Sequence, residues 1–171
     1  MNKLYVLENM GFRISWKLIV IGLLGNDEIP QSITRFDVLE YLDGLLTDIN
    51  EHTEDIITLV YLKDDFTEFE NVLKKLARED ASDIVIQKRK WRAFLLKDLI
   101  DNINEDCLQG LLELMEFWVL MGKPKDCPLI FPIIDKKAGK DYFTQSSYEF
   151  NLDKNRKWLD EEIQSIVNLE R

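Results

Sequence analysis

The sequence has little of what a metalloenzyme or a disulfide-stabilised protein needs, because its 171 residues include one histidine, two cysteines, four prolines and seven glycines. With His52 as the only histidine, sites built from several histidines are excluded. Cys107 and Cys127 lack the close spacing of a zinc knuckle, and we predict two thiols in the core, with a single bridge as the alternative. The chain also lacks a nucleophile elbow and a phosphate-binding loop. We therefore expect no catalytic residues, no cofactor and no metal, and favour a non-catalytic protein over an enzyme.

Long hydrophobic runs are also absent. The most apolar stretch, residues 18–24, is far shorter than the roughly 20 residues that cross a bilayer. Glu8 and Arg13 come before any apolar run long enough for a signal peptide. We therefore expect no membrane partner and a cytoplasmic location, which the low cysteine content also favours.

Positive charge is scarce, with a formal net charge of -10. Residues 1–60 hold ten acidic and four basic side chains, whereas residues 61–110 and 111–171 each hold eleven and nine. This balance makes nucleic acid an unfavoured partner, since binding to phosphates depends on Lys and Arg. The acidic excess lies in the first third of the chain.

The composition is that of a folded, mainly α protein. Hydrophobic residues make up 46% of the chain, enough for one substantial core. We predict one helical domain over residues 1–171, a compact and bundle-like set of helices joined by short turns. Residues 123–150, with three prolines, are predicted to be an irregular connection. A C-terminal helix over about 153–169 is predicted to dock on the core.

Capping residues and apolar periodicity predict the other helices. Ser15 and Gly25 bracket a short buried helix, for which a buried strand is the alternative because the run is β-branched. Ser32, Thr53, Thr67 and Asn104 are the predicted starts of later helices, Thr67 because Glu70 follows at the capping-box spacing. Another helix is predicted from Ser82 to about Ile103. The apolar stripe of the helix after Ser32 is predicted to contain Ile33, Phe36, Leu39, Leu42, Leu46 and Ile49, and that after Asn104 Leu108, Leu111, Leu112, Met115 and Val119.

Seven acidic residues form the predicted partner-binding surface, here called the acidic strip. No Lys or Arg lies between the first and the last of them, so their repulsion is not neutralised by sequence neighbours. A basic protein partner would relieve this repulsion and associate faster by electrostatic steering. The more common interpretation of such a run is a solvated helix face. The acidic strip consists of Asp37, Glu40, Asp43, Asp48, Glu51, Glu54 and Asp55.

Two other functions remain as alternatives. Residues 88–92 mix basic side chains with Trp91, as in proteins that bind nucleic acid, although Trp91 also fits an apolar helix stripe. A hydrolase that uses carboxylates and a divalent metal would require distant acids to converge, for which the sequence carries no motif.

Three groups of residues resemble a bacterial family known as domain of unknown function 2247. They are Ile14-Ser15-Trp16-Lys17-Leu18 with Gly22-Leu23, Lys90-Trp91-Arg92 with Leu95-Leu96, and Phe117 through Gly122-Lys123-Pro124. The resemblance covers about residues 10–135 and leaves the final helix outside. It implies no reaction, and Trp16, Trp91 and Arg92 look structural. By analogy of class and charge, small acidic helical proteins of this kind look like immunity proteins, which neutralise basic bacterial toxins by direct binding. The expected partner is thus a basic protein, such as a cognate toxin.

Overall fold

A computed structural model describes residues 2–46, 53–130 and 142–171, and these contain α-helices and no strand. The mainly α prediction is confirmed, and the run after Ser15 is a helix. The helices are α1 (Lys3–Asn9), α2 (Trp16–Leu24), α3 (Arg35–Leu45), α4 (Thr53–Tyr61), α5 (Phe66–Glu79), α6 (Ile84–Asn102), α7 (Cys107–Leu120) and α8 (Gln145–Leu169).

The chain divides into two compact units. The first consists of Met1–Trp91 and Glu170–Arg171, and the second of Arg92–Leu169. The boundary falls within α6. The prediction of one domain over the whole chain stays a prediction.

In the first unit, α2 packs against α5, and α3 packs against both α1 and α4. Its core is aliphatic with a few rings, and burial of this apolar surface is the main stabilising term. Fully or almost fully buried members include Leu4, Leu7, Leu18, Val38, Leu42, Ile56, Leu59, Phe69 and Leu73.

Trp91 lies against Gly22 in this core. The Trp91 side chain is fully buried, and its indole Nε1 donates a hydrogen bond of 2.8 Å to the carbonyl oxygen of Leu18. A Cβ on Gly22 would overlap Cζ2 of the indole and lie 2.7 Å from Cε2. Only glycine therefore lets the ring lie directly on the α2 backbone.

The same glycine also joins α2 to the segment before α3. Because α2 ends at Leu24, its last carbonyl groups have no partner within the helix. The Gly22 oxygen accepts hydrogen bonds from the backbone N-H groups of Ser32 at 2.7 Å and Ile33 at 3.0 Å. The buried Ile33 side chain is thereby held against the core.

The ends of α2 lie where the sequence predicts them. The Ser15 hydroxyl accepts from the Leu18 N-H at 3.2 Å, and Gly25 has a φ of 69°, the left-handed region that glycine tolerates. Three other predicted helix starts were wrong by two residues. Thr34, Asp65 and Asp106 cap α3, α5 and α7, instead of Ser32, Thr67 and Asn104.

Two of these corrections have a local cause. The Ser32 hydroxyl donates to the Pro30 carbonyl, which leaves Thr34 to form a capping box with Asp37. Asn104 accepts from the Asp106 N-H and so forms a turn that ends at the true cap. Where several capping residues lie close together, backbone geometry selects one of them.

Two predicted apolar stripes were partly wrong. Phe36 is 74% exposed, whereas its neighbours Val38 and Tyr41 are buried. In α7, Leu108 and Val119 are exposed, and Leu114 and Trp118 are buried together with Leu111. In both helices the predicted period is right, but the buried face is rotated about the helix axis relative to the predicted stripe.

In the second unit, α7 packs against α8 around a tryptophan. Trp118 and Asn155 are both fully buried, and the indole Nε1 donates to the Asn155 side-chain oxygen at 2.7 Å. The amide of Asn155 donates in turn to the Asn151 carbonyl at 2.8 Å. This chain of hydrogen bonds satisfies polar groups that would otherwise destabilise the interior.

The final helix begins earlier than predicted. It starts at Gln145 rather than near residue 153, so residues 145–150 are helical and not part of the irregular connection. Tyr148 and Leu152 continue its buried face towards the N-terminus. Residues 123–130 contain no helix, as predicted, and residues 131–141 lie outside the described residues.

The contact between Trp91 and Gly22 predicts an unusual response to alanine. An interior helix Gly→Ala change ordinarily stabilises by about 1 kcal/mol, but Gly22→Ala should destabilise by about 1–3 kcal/mol because its methyl group overlaps the indole. Urea unfolding followed by circular dichroism measures the difference. Gly44→Ala is the control, because its methyl group would overlap the hydroxyl at the far end of the half-buried Tyr5 side chain, which can move aside, whereas the fully buried Trp91 ring cannot. Equal stability of the two variants would contradict the conclusion that the Trp91 ring excludes a side chain at position 22.

Candidate protein-interaction surface

The acidic strip lies on two neighbouring helices of the first unit. Asp37, Glu40 and Asp43 follow one another at intervals of three along α3, and Glu54 and Asp55 occupy the first turn of α4. Helices α3 and α4 pack against each other. Asp48 and Glu51, like His52, lie outside the described residues. Five of the seven predicted site residues are thus on adjacent helices.

Asp37 has a structural role at the start of α3. Its carboxylate accepts from the Thr34 backbone N-H at 2.7 Å and from the Thr34 hydroxyl at 2.6 Å. Partial burial acts to raise the pKa of Asp37, but these hydrogen bonds and the nearby Lys3 outweigh it and leave the pKa below its usual value. The Asp37 carboxylate is therefore ionised, and it is already used to cap the start of α3 rather than being reserved for a partner.

Glu40, Asp43 and Glu54 are exposed and form no ion pair with any described residue. Glu40 accepts one neutral hydrogen bond, from the Asn2 side chain at 3.1 Å. Three acidic residues elsewhere in the unit are paired with cations: Glu28 with Lys88 at 2.7 Å, Glu70 with Lys74 at 2.9 Å, and Glu170 with Lys90 at 2.5 Å. Asp27 and Asp83 of the same unit are likewise exposed without an ion pair to a described residue, so what distinguishes the acidic strip is that its unpaired carboxylates lie on two packed helices.

The capping role of Asp37 predicts an acid-labile contribution to stability. Because the folded-state pKa is below the unfolded one, the contribution is complete above pH about 4 and is lost as the pH falls through the folded value. Asp37→Ala should therefore cost about 0.5–2 kcal/mol at pH 7, and the difference from the parent should shrink towards pH 2. Unfolding midpoints in urea at both pH values measure this. A difference that grows on acidification would contradict it.

The basic stretch at residues 88–92 does not form one basic surface. Lys90 is fully buried, and its Nζ donates to the Arg13 carbonyl at 2.6 Å and to the Gln87 side-chain oxygen at 2.9 Å. Burial lowers the pKa of Lys90, and the Glu170 carboxylate opposes that change. With Trp91 also buried, the centre of the stretch is part of the core and inaccessible to a phosphate backbone.

The two ends of the stretch are occupied by acidic partners. Lys88 pairs with Glu28 in the first unit. Arg92, in the second unit, lies 3.3 Å from Glu162 and 3.5 Å from Asp126, with its guanidinium 5.1 Å from the centre of the Trp158 ring. The continuous basic patch that nucleic-acid binding requires is therefore absent from residues 88–92.

The ion pair between Lys90 and Glu170 was not predictable from the sequence, because 80 positions separate the two residues. Glu170→Gln should lower the free energy of unfolding by about 3 kcal/mol, since it leaves a buried ammonium group with neutral acceptors only. Chemical denaturation measures the loss.

Glu28→Gln is the matched control for that experiment, because it removes the same charge from a more exposed pair, and the cost should be under about 1 kcal/mol. Combining Glu170→Gln with Lys90→Met should cost less than the sum of the single changes. Strict additivity would show that the two groups do not interact.

The described residues contain few groups arranged for chemistry. Cys107 and Cys127 are free thiols, as predicted, but both are half-buried rather than in the core. Burial raises the pKa of the Cys127 thiol, which keeps it protonated. Across residues 2–46, 53–130 and 142–171, no three His, Cys, Asp or Glu side chains come close enough together to hold a metal ion. Within the same ranges, no helix has the length and apolarity to cross a bilayer.

The fold and surface together define a class, an acidic all-α protein with a charged helical face. A family model described as an uncharacterised protein conserved in bacteria, domain of unknown function 2247, matches residues 5–163. The chain belongs to this family. The match extends beyond the predicted limits of about 10–135 and includes most of α8. No curated protein and no solved structure matches the chain.

Proposed function

We propose that this protein is a non-catalytic binding protein whose acidic strip contacts a basic partner protein. The observation that carries the proposal is a cluster of exposed, unpaired carboxylates on the packed helices α3 and α4. Glu40, Asp43 and Glu54 are exposed without a cationic partner among the described residues, whereas Glu28, Glu70 and Glu170 each have one.

The physical basis is electrostatic. Like charges on adjacent helices repel one another, and a basic surface would convert that repulsion into attraction. Such complementarity raises the association rate and weakens with added salt, because screening shortens the range of the field. The formal net charge of -10 adds a long-range attraction for any basic protein.

Within this class we propose an immunity protein that neutralises a basic bacterial toxin by direct binding. Membership of a bacterial family and the acidic all-α fold support this narrower function by analogy. We include a cytoplasmic location in the proposal, since free thiols suit a reducing compartment.

The two alternative functions receive less support. A metal-dependent hydrolase would need converging ligands, and the described residues bring no three together. A nucleic-acid role for residues 88–92 would need Lys90 and Trp91 at the surface, and both are fully buried.

The proposal predicts a salt-sensitive association with the protein encoded by the adjacent gene. The triple variant Glu40→Lys, Asp43→Lys and Glu54→Lys should lower the association rate constant by tenfold or more at low salt, the usual range for steering. Surface plasmon resonance at several salt concentrations measures this rate. The difference between parent and variant should narrow at high salt.

The matched control is Asp153→Lys, Asp160→Lys and Glu161→Lys, which makes the same charge change at exposed positions of α8. If both triple variants slow association equally, net charge alone is responsible and the acidic strip has no special role. If binding is unchanged in the first variant, the acidic strip does not contact this partner.

A further inference from the structure

Three aromatic side chains of the first unit are exposed to an extent that needs an explanation. Phe36 is 74% exposed, Tyr61 is 87% exposed and Phe66 is 64% exposed. They are the large aromatic residues with the greatest exposure in the described part of that unit, whose other rings include the buried Phe12, Tyr41, Phe69 and Trp91. Apolar rings in water mark an interaction surface when they lie together.

The backbone brings these three residues to one end of the helices. Tyr61 is the last residue of α4 and Phe66 the first of α5, joined by a turn in which the Asp65 N-H donates to the Leu62 carbonyl at 3.0 Å. Arg35, directly before Phe36 in α3, has its guanidinium 3.3 Å from the centre of the Phe66 ring. The start of α3, the end of α4 and the start of α5 therefore meet, and we name Phe36, Tyr61 and Phe66 the aromatic end.

The surroundings of the aromatic end are mostly acidic. Residues 62–68 contain exposed Asp64, Asp65 and Glu68, and the cations at this end are Lys63 and Arg35. Glu40 of the acidic strip lies four residues after Phe36, so the two surfaces share one face of α3. Ile57, 54% exposed, lies one turn before Tyr61 on α4 and extends the apolar area.

Rings flanked by carboxylates match the chemistry of Lys and Arg side chains. A ring face attracts a cation placed over it, and a nearby carboxylate adds a charge-assisted hydrogen bond. Arg35 over Phe66 shows that a guanidinium fits at this place. Aromatic residues are also the commonest anchors at the centre of protein interfaces.

We propose that the aromatic end is a docking surface for Lys and Arg side chains of a basic partner protein. This inference rests on the proposed function and names the anchor of the same interface, with the acidic strip beside it accelerating approach. A second copy of this chain is a poor occupant because each copy carries a net charge of -10, and an anionic lipid surface is repelled for the same reason.

The probe is an acetylated hexa-arginine peptide, titrated into the isotopically labelled full chain at low salt and followed by nuclear magnetic resonance. We expect the largest shifts at the amides of residues 35–37 and 61–68. Phe36→Ala with Tyr61→Ala should weaken peptide binding by about tenfold, which corresponds to the loss of two cation–π contacts. Both rings are exposed and the contact of Arg35 with Phe66 is unchanged, so we expect this variant to fold.

The control is Phe143→Ala with Phe150→Ala, which removes two exposed rings from the second unit and should leave peptide affinity unchanged. Shifts confined to Glu40, Asp43 and Glu54, with no effect of the aromatic changes, would overturn the aromatic end and leave the acidic strip standing. No binding of the peptide to the first unit at low salt would overturn both.

Two further measurements distinguish the other occupants. Sedimentation equilibrium should show no concentration-dependent dimer, and vesicles of phosphatidylglycerol should not retain the protein. A dimer, or vesicle binding, that is lost in the Phe36→Ala and Tyr61→Ala variant would assign the aromatic end to that occupant and overturn docking of a basic protein.

Discussion

The contact of the Trp91 indole with Gly22 is the constraint on which the first unit depends. The ring lies on the backbone of α2, donates to the Leu18 carbonyl and prevents any side chain at position 22. The Gly22 carbonyl then holds the segment that leads into α3. Helix α3 carries both the first part of the acidic strip and Phe36. The position of the proposed interface therefore depends on a buried contact that touches no partner.

Local signals in the sequence were sufficient for part of the fold. Helix α2 was predictable at both ends, because Ser15 caps its own first turn and Gly25 adopts a backbone conformation that other residues avoid. These interactions involve residues at most three or four positions apart. Similarly, Trp91 fitted an apolar helix stripe and is fully buried.

Other features depend on partners distant in sequence and could not be predicted. Phe36 has the spacing of a core residue, but the packing of α3 against α1 and α4 turns it outwards. From the sequence, Lys90 looks like a surface cation. Its buried position depends on the Glu170 carboxylate and the Arg13 carbonyl, which are distant in the sequence. The early start of α8 was hidden because Asn151 and Asn155 interrupt the apolar pattern of its buried face. The acidic strip was identifiable from sequence, but the capping role of Asp37 and the pairing of Glu170 with Lys90 were not.

The ion pair between Lys90 and Glu170 also sets an order of events during synthesis. Residues 1–91 emerge from the ribosome long before residue 170, so the Lys90 ammonium group lacks its carboxylate for the time needed to translate the whole second unit. Until then, enclosing Lys90 would bury an ammonium group without its counter-ion, which opposes closure of the core. The first unit to be synthesised therefore lacks the stabilisation of this ion pair until residue 170 has left the ribosome.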